Sequence, residues 1–218
     1  MAIQFAKYSF FLALGYWLYQ FTQNNFDTFG IQFRFLTHWG ISLAVIVHFI
    51  NWRRRLAGQP ERFHAFNAAV VILNILVVFL YWRLYFIDPA LVNGDKIPVW
   101  HQEYYMHILG PLLLFIDAVW YNRAFRGFIP GFIKGCLATI ILCLIYIIWI
   151  EALVRPLNSI PIGDVTAGLP YPFLNNMVWN DRQSFYITTT VTGIVAFIIC
   201  WIIGLISDRF RMGAKPRY

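Results

Sequence analysis

Charge is scarce in this chain. Of its 218 residues only 12% are Asp, Glu, Lys or Arg, while 60% are hydrophobic and 19% aromatic. A soluble domain carries about a quarter charged residues, so the composition excludes that class and points to a membrane protein. Cysteine is also rare: Cys136, Cys143 and Cys200 each sit inside an apolar run, without metal-ligand spacing. They read as small hydrophobes, which excludes a disulfide framework and a structural metal. There is no internal repeat, no low-complexity linker and no alternating pattern of a transmembrane barrel. What remains is an all-α bundle forming one integral-membrane helical domain over residues 1–218.

Apolar runs of about 20 residues are long enough to cross a bilayer. They fall at Ile3–Phe21, Phe33–Trp52, Ala65–Ile87, Gln102–Tyr121, Gly135–Val154 and Ser184–Ser207, which predicts six transmembrane helices. The first is expected to be a span rather than a removed signal peptide, because no small-residue cleavage site follows it. The net charge of +7 superficially suggests nucleic acid, but its distribution follows the spans. Arg53, Arg54, Arg55 and Arg62 lie between spans two and three, and Arg123, Arg126 and Lys134 between four and five. Arg209, Arg211, Lys215 and Arg217 follow span six, and Lys7 lies near the start. The other loops hold Lys96 and Arg182 with Asp27, Asp88, Asp95, Asp164 and Asp181. Positive loops stay in the cytoplasm, so both termini are expected there, and no nucleic-acid partner is implied. A bacterial inner membrane, an endoplasmic reticulum and a plasma membrane all fit. Gly131 and Gly135 have the spacing of a helix-association motif but straddle a span end, which leaves the oligomeric state open.

Polar groups inside apolar spans mark function or packing. At about 1.5 Å of rise per residue, Thr37, His107, Glu151 and Arg83 lie roughly 5–8 Å from the outer ends of four different spans. His48, Asp117 and Asn74 form a deeper layer at about 22–24 Å, readable as a packing trio or as a proton or ion path. The long outer loop, Arg155–Gln183, is rich in Pro and Gly. Its Leu169–Leu174 stretch (LPYPFL) reads either as a lid folded over the bundle or as an aromatic belt at the interface.

Thr37, His107 and Glu151 hold the three roles of a nucleophile, a base and an orienting acid, with His38 as a further supporting candidate. A threonine in a membrane helix also commonly bonds to the carbonyl one turn back, and a histidine can simply be packed. His38 and His107 could instead ligate one haem iron. A haem- or quinone-binding protein and a non-enzymatic transporter or structural protein are therefore the competing readings.

Several short segments, in order, resemble one family. They are Arg34–Thr37 (RFLT), Tyr85–Asp88 (YFID), Tyr105–His107 (YMH) with Pro111 and Asp117 beyond it, Tyr146–Trp149 (YIIW) and Tyr171–Leu174 (YPFL). The chain is similar to the androgen-induced and androgen-dependent six-span membrane proteins, threonine hydrolases of fatty acid esters of hydroxy fatty acids. Glu151–Arg155 (EALVR) stands where that family has a His-rich end to span five. The resemblance implies a membrane esterase acting on a lipid ester with no metal or other cofactor. Thr37 would be the nucleophile and His107 the base. The substrate's free carboxylate would meet Arg83, Arg155 or Arg34.

Overall fold

The computed structural model describes residues 1–22, 28–93, 99–127, 129–159 and 168–213, with the side chains of Asn93 and residues 211–213 left aside. Asp27, Asp95, Lys96, Asp164, Lys215 and Arg217, assigned to loops above, lie outside the described residues, as does the side chain of Arg211. Among the described residues the structure is helical, with no strand. The long helices are α1 (Ala2–Phe21), α2 (Leu36–Leu56), α3 (His64–Ile87), α4 (100–121), α5 (Ile129–Leu157) and α6 (Trp179–Gly213). Each overlaps one expected span. Three of them, α3, α5 and α6, are long and apolar enough to cross a membrane by length and composition.

The central helix is α3. Residues from Asn67 to Val77 are buried almost all the way round, which is the pattern of a helix enclosed by others. Its inner half packs with Leu114, Phe125 and Phe197, and its outer half with Tyr146, Ile150 and Leu174. Outward faces of α5 and α6 carry exposed Ile141, Leu144, Ile148, Val195, Ile199 and Ile202, an apolar exterior suited to lipid rather than water. Close approach of α5 to α6 depends on small residues. A Cβ on Gly135 would come within 2.6 Å of the Phe197 ring, so the Gly131–Gly135 spacing serves packing within the chain.

Helix α4 is not regular. Its hydrogen bonding shifts to the wider π pattern at Tyr105–Leu109 and again at Asp117–Tyr121, and α5 does the same at Trp149–Val154. Two of these turns stand directly before a proline pair, Gly110-Pro111 and Arg155-Pro156. Proline lacks the N–H that would bond four residues back and crowds that carbonyl, so the preceding turn widens.

At one end of the bundle lies a buried polar network. The Arg55 guanidinium donates to Asp117 Oδ1 at 2.6 Å and to Glu61 Oε1 at 2.5 Å. Asn51 Nδ2 donates to Asp117 Oδ2 at 2.7 Å and to Asn67, and Asn122 links Asn51 to Glu61. Arg55 also reaches the Ala2 carbonyl, and Arg123 pairs with Asp208 at 2.9 Å. The start of α1, the α2–α3 and α4–α5 connections and the end of α6 thus share one side, as the loop charges require. The Asp208 carboxylate holds the Arg123 guanidinium above its usual pKa. Asn74 is not part of this network, contrary to the depth count. Its amide donates to the carbonyls of Gly40 and Val70. Only His48, 3.9 Å from Asp117, joins the cluster.

Candidate active site

Near the opposite end, a cavity of about 220 Å³ opens between α2, α3, α4, α5 and α6. Its wall includes Thr37, His38 and His107 from the sequence-derived candidates. The rest is chiefly apolar, with Leu73, Leu76, Val77, Ile147 and Phe185 on the inner side and Gln20, Gln102 and Glu103 at one polar end. The Leu169–Leu174 stretch takes the first of its two expected forms. Leu169 and Leu174 are buried, and Tyr171, Phe173 and Leu174 form part of the cavity wall.

Thr37 sits in the first turn of α2. Other threonines here bond back one turn: Thr139 to Gly135, Thr188 to Ser184, Thr190 to Tyr186 and Thr192 to Thr188. Among the described residues the Thr37 hydroxyl makes no such bond, and the cause lies in its neighbours. The carbonyl four residues back, that of Phe33, already accepts the indole N–H groups of Trp39 at 2.7 Å and Trp149 at 2.9 Å. The carbonyl three back, that of Arg34, accepts the Tyr146 hydroxyl at 2.9 Å. The helix also begins only at Leu36, with Phe35 extended (φ −92°, ψ 136°), so no helical carbonyl stands one turn behind Thr37 to capture its hydroxyl. Thr189, also in the cavity wall, likewise has no hydroxyl partner among the described residues. The first N–H of α2, on Leu36, donates to the Tyr171 hydroxyl at 3.1 Å, so the outer segment supplies the cap that Phe35 lacks a side-chain acceptor to provide.

His107 projects from the first widened turn of α4. Gly110 N–H bonds to the Tyr105 carbonyl five residues back. Pro111 has no N–H for the His107 carbonyl, which accepts the Trp82 indole instead at 3.2 Å. The imidazole lies flat on the Tyr81 ring, with centroids 3.6 Å apart and planes 8° from parallel. It is 5% exposed. Nε2 is 3.3 Å from Glu103 Oε2, and Nδ1 is buried without a hydrogen-bond partner. Thr37 and His107, from two different helices, therefore share one chamber.

The other expected residues divide. His38 lines the cavity beside Thr37, and neither ring nitrogen has a partner. Glu151 was expected to support His107 and does not. Its Oε1 holds Arg182 Nε at 2.9 Å and accepts the Tyr186 hydroxyl at 2.8 Å, while Oε2 pairs with Arg155. Depth counting placed Glu151 in the right layer, but Arg182 on α6 claims it. Arg83 is exposed and outside the cavity wall, and Arg155 is exposed and tied to Glu151. Arg34 is likewise outside the cavity wall, but it adjoins the lining residue Phe35. Its guanidinium stacks over the Phe35 ring at 4.7 Å, and its buried Nε and Nη1 have no acceptor among the described residues.

The acid beside His107 is Glu103, which the sequence reading missed. Its signal was present: Glu103 precedes His107 by four residues, the spacing at which helical side chains meet. It stands at the rim of its span, where a charge by itself marks no site. No curated protein and no solved structure was found to be significantly similar to the chain. The family model described as FAR-17a/AIG1-like protein matches residues 1–204. With that match over nearly all its length, the chain belongs to the FAR-17a/AIG1-like family.

Proposed function

We propose that this protein is a six-span membrane hydrolase that cleaves lipid esters, including fatty acid esters of hydroxy fatty acids, with Thr37 as nucleophile and His107 as base. Both termini face the cytoplasm in this reading. The observation that carries it is the uncaptured Thr37 hydroxyl in the same cavity as His107. A hydroxyl becomes a nucleophile when a neighbouring base takes its proton. His107 accepts the Thr37 proton as Oγ1 bonds to the ester carbonyl carbon. The tetrahedral adduct collapses, the alkoxy C–O bond breaks, and His107 returns the proton to the leaving alcohol. Water then attacks the acyl-threonine and gives its proton to His107. The C–Oγ1 bond breaks, Thr37 regains a proton and the fatty acid leaves.

Apolar walls from α3, α5 and α6 suit an acyl chain, and the Gln20–Gln102–Glu103 end suits water and the alcohol product. Arg34, with two unsatisfied nitrogens, is the preferred partner for a substrate carboxylate over Arg83 and Arg155. A haem fits this geometry less well. Tyr81 covers one face of His107, and Glu103 stands at its Nε2.

Labelling by a fluorophosphonate probe in native membranes tests the reading. Wild type should label, and Thr37→Ala and His107→Ala should each lose labelling and ester hydrolysis to a similar floor, as residues acting together do. Thr37→Ser, which keeps a hydroxyl, should retain turnover. Undiminished labelling of a folded Thr37→Ala protein would remove the threonine from the mechanism. Thr189→Ala serves as the control hydroxyl and should label like wild type.

A further inference from the structure

We infer that Glu103 is a positioning residue for His107: its carboxylate holds the proton on Nε2 and leaves Nδ1 as the atom that accepts the proton from Thr37. The inference rests on the hydrolase reading for its catalytic consequence, but the tautomer it assigns stands on geometry alone.

A neutral imidazole has one N–H and one lone pair, and the hydrogen bond at one nitrogen decides which is which. Only one ring nitrogen of His107 has an acceptor near it: Nε2, 3.3 Å from Glu103 Oε2. An ionised carboxylate accepts hydrogen bonds and cannot donate them, so the proton belongs on Nε2. Nδ1 has no partner, and leaving a buried acceptor unpaired is costly. Such a cost is expected at a base awaiting its proton. Three features set the position of the ring. Tyr81 stacks along its full face. The widened turn before Pro111 sets the direction of the side chain, and the Trp82 indole fixes the His107 carbonyl.

Glu103 itself is free for this task. It makes no contact with Arg34, Arg155 or Arg182, the cations of this end of the molecule, whereas Glu151 is wholly engaged by two of them. It is also placed one turn nearer the polar end of the cavity, beside Gln102 and Gln20. There it can stabilise the imidazolium formed during attack without entering the apolar region where the acyl chain lies. Its role is thus the orienting one of a nucleophile–base–acid set, supplied from the same helix as the base.

Two measurements test this. In histidine-selective ¹⁵N spectra of the detergent-solubilised protein, which has five histidines, the signal absent from His107→Gln should show a protonated Nε2 and a bare Nδ1. In Glu103→Gln it should shift toward a mixture of tautomers. Kinetically, Glu103→Gln should lower kcat about 10²-fold, within the range of general base catalysis. Its KM should stay close to wild type, and Glu103→Asp should restore part of the loss. A wild-type His107 protonated on Nδ1, or a Glu103→Gln protein with wild-type kcat, would overturn the assignment. The tautomer result does not depend on the Thr37→Ala outcome: labelling of Thr37→Ala sinks the hydrolase reading, and the kinetic arm with it, and leaves the tautomer as found.

Discussion

Thr37 is free in this reading because it stands at the start of its helix, where side chains from two helices hold the preceding carbonyls in place. Trp39, Trp149 and Tyr146 come from α2 and α5 and converge on the Phe33 and Arg34 carbonyls. None of them needs to touch substrate to matter. Replacing both indoles by Phe removes both donors from the Phe33 carbonyl and should loosen the turn that places Thr37 at the start of α2. The expected result for the Trp39→Phe/Trp149→Phe protein is a several-fold lower kcat with KM little changed. Wild-type kcat in that double variant would show that carbonyl occupancy has no bearing on the threonine. This arrangement was not legible in the sequence. Thr37 and His107 were found by depth and by their flanking residues, but hydrogen bonds between residues 116 apart, such as Trp149 to Phe33, leave no local trace. Glu151 shows the converse. Its layer followed from helical rise, yet its partner was set by which α6 residue faced it.

At the level of helices, hydropathy alone located each element to within a few residues at most ends. It could not show that α4 changes register twice. A depth count assumes a uniform rise of about 1.5 Å per residue, and widened turns alter which face a side chain takes. That is one reason Asn74 and Asp117, equal in depth, have different partners. Packing of α6 gives a sharper test. A Cβ at Gly204 would collide with the Phe125 backbone carbonyl, whereas one at Gly135 meets the tip of the Phe197 ring. A ring can shift and a backbone carbonyl in a packed turn cannot. Gly135→Ala should therefore cost about 1–3 kcal/mol, the usual range for overpacking, and Gly204→Ala more. Thermal melts of the detergent-solubilised proteins by size exclusion should rank Gly204→Ala below Gly135→Ala, with both below wild type. The reverse order would mean that the α4–α5 connection yields more readily than the aromatic core.

The molecule as a whole has two polar regions at opposite ends, and they are built on different terms. Around Asp117, which is 0% exposed, every carboxylate oxygen has a donor and four helices are tied together. Arg55 Nη2 and His48 Nδ1 have no hydrogen-bond partner there, but around Thr37 and His107 the unpartnered atoms line or adjoin a cavity: both ring nitrogens of His38 and Nδ1 of His107. The first arrangement fixes structure and the second keeps groups ready for a guest. Asp117→Ala leaves Arg55 with Glu61 as its one carboxylate partner and takes the Asp117 acceptor from Asn51, and should destabilise the protein by about 1–3 kcal/mol, the usual cost of unsatisfied buried donors. Arg55→Met/Asp117→Leu, which removes both charges, should recover much of that loss in the same melting assay. If the double variant melts as low as Asp117→Ala, the network's value lies in its amides rather than its charges.

The chamber is small beside its prospective guest. Ligand sites commonly enclose about 300–1,000 Å³, and this one holds about 220 Å³. A two-chain ester has to push part of the wall aside. The helices forming that wall are locked by packing on α3, whereas the segment with Tyr171 and Phe173 is latched to α2 through the hydroxyl on Leu36 N–H. On the proposed reading, a guest that displaced Tyr171 would leave the Leu36 amide, one residue before Thr37, without its acceptor.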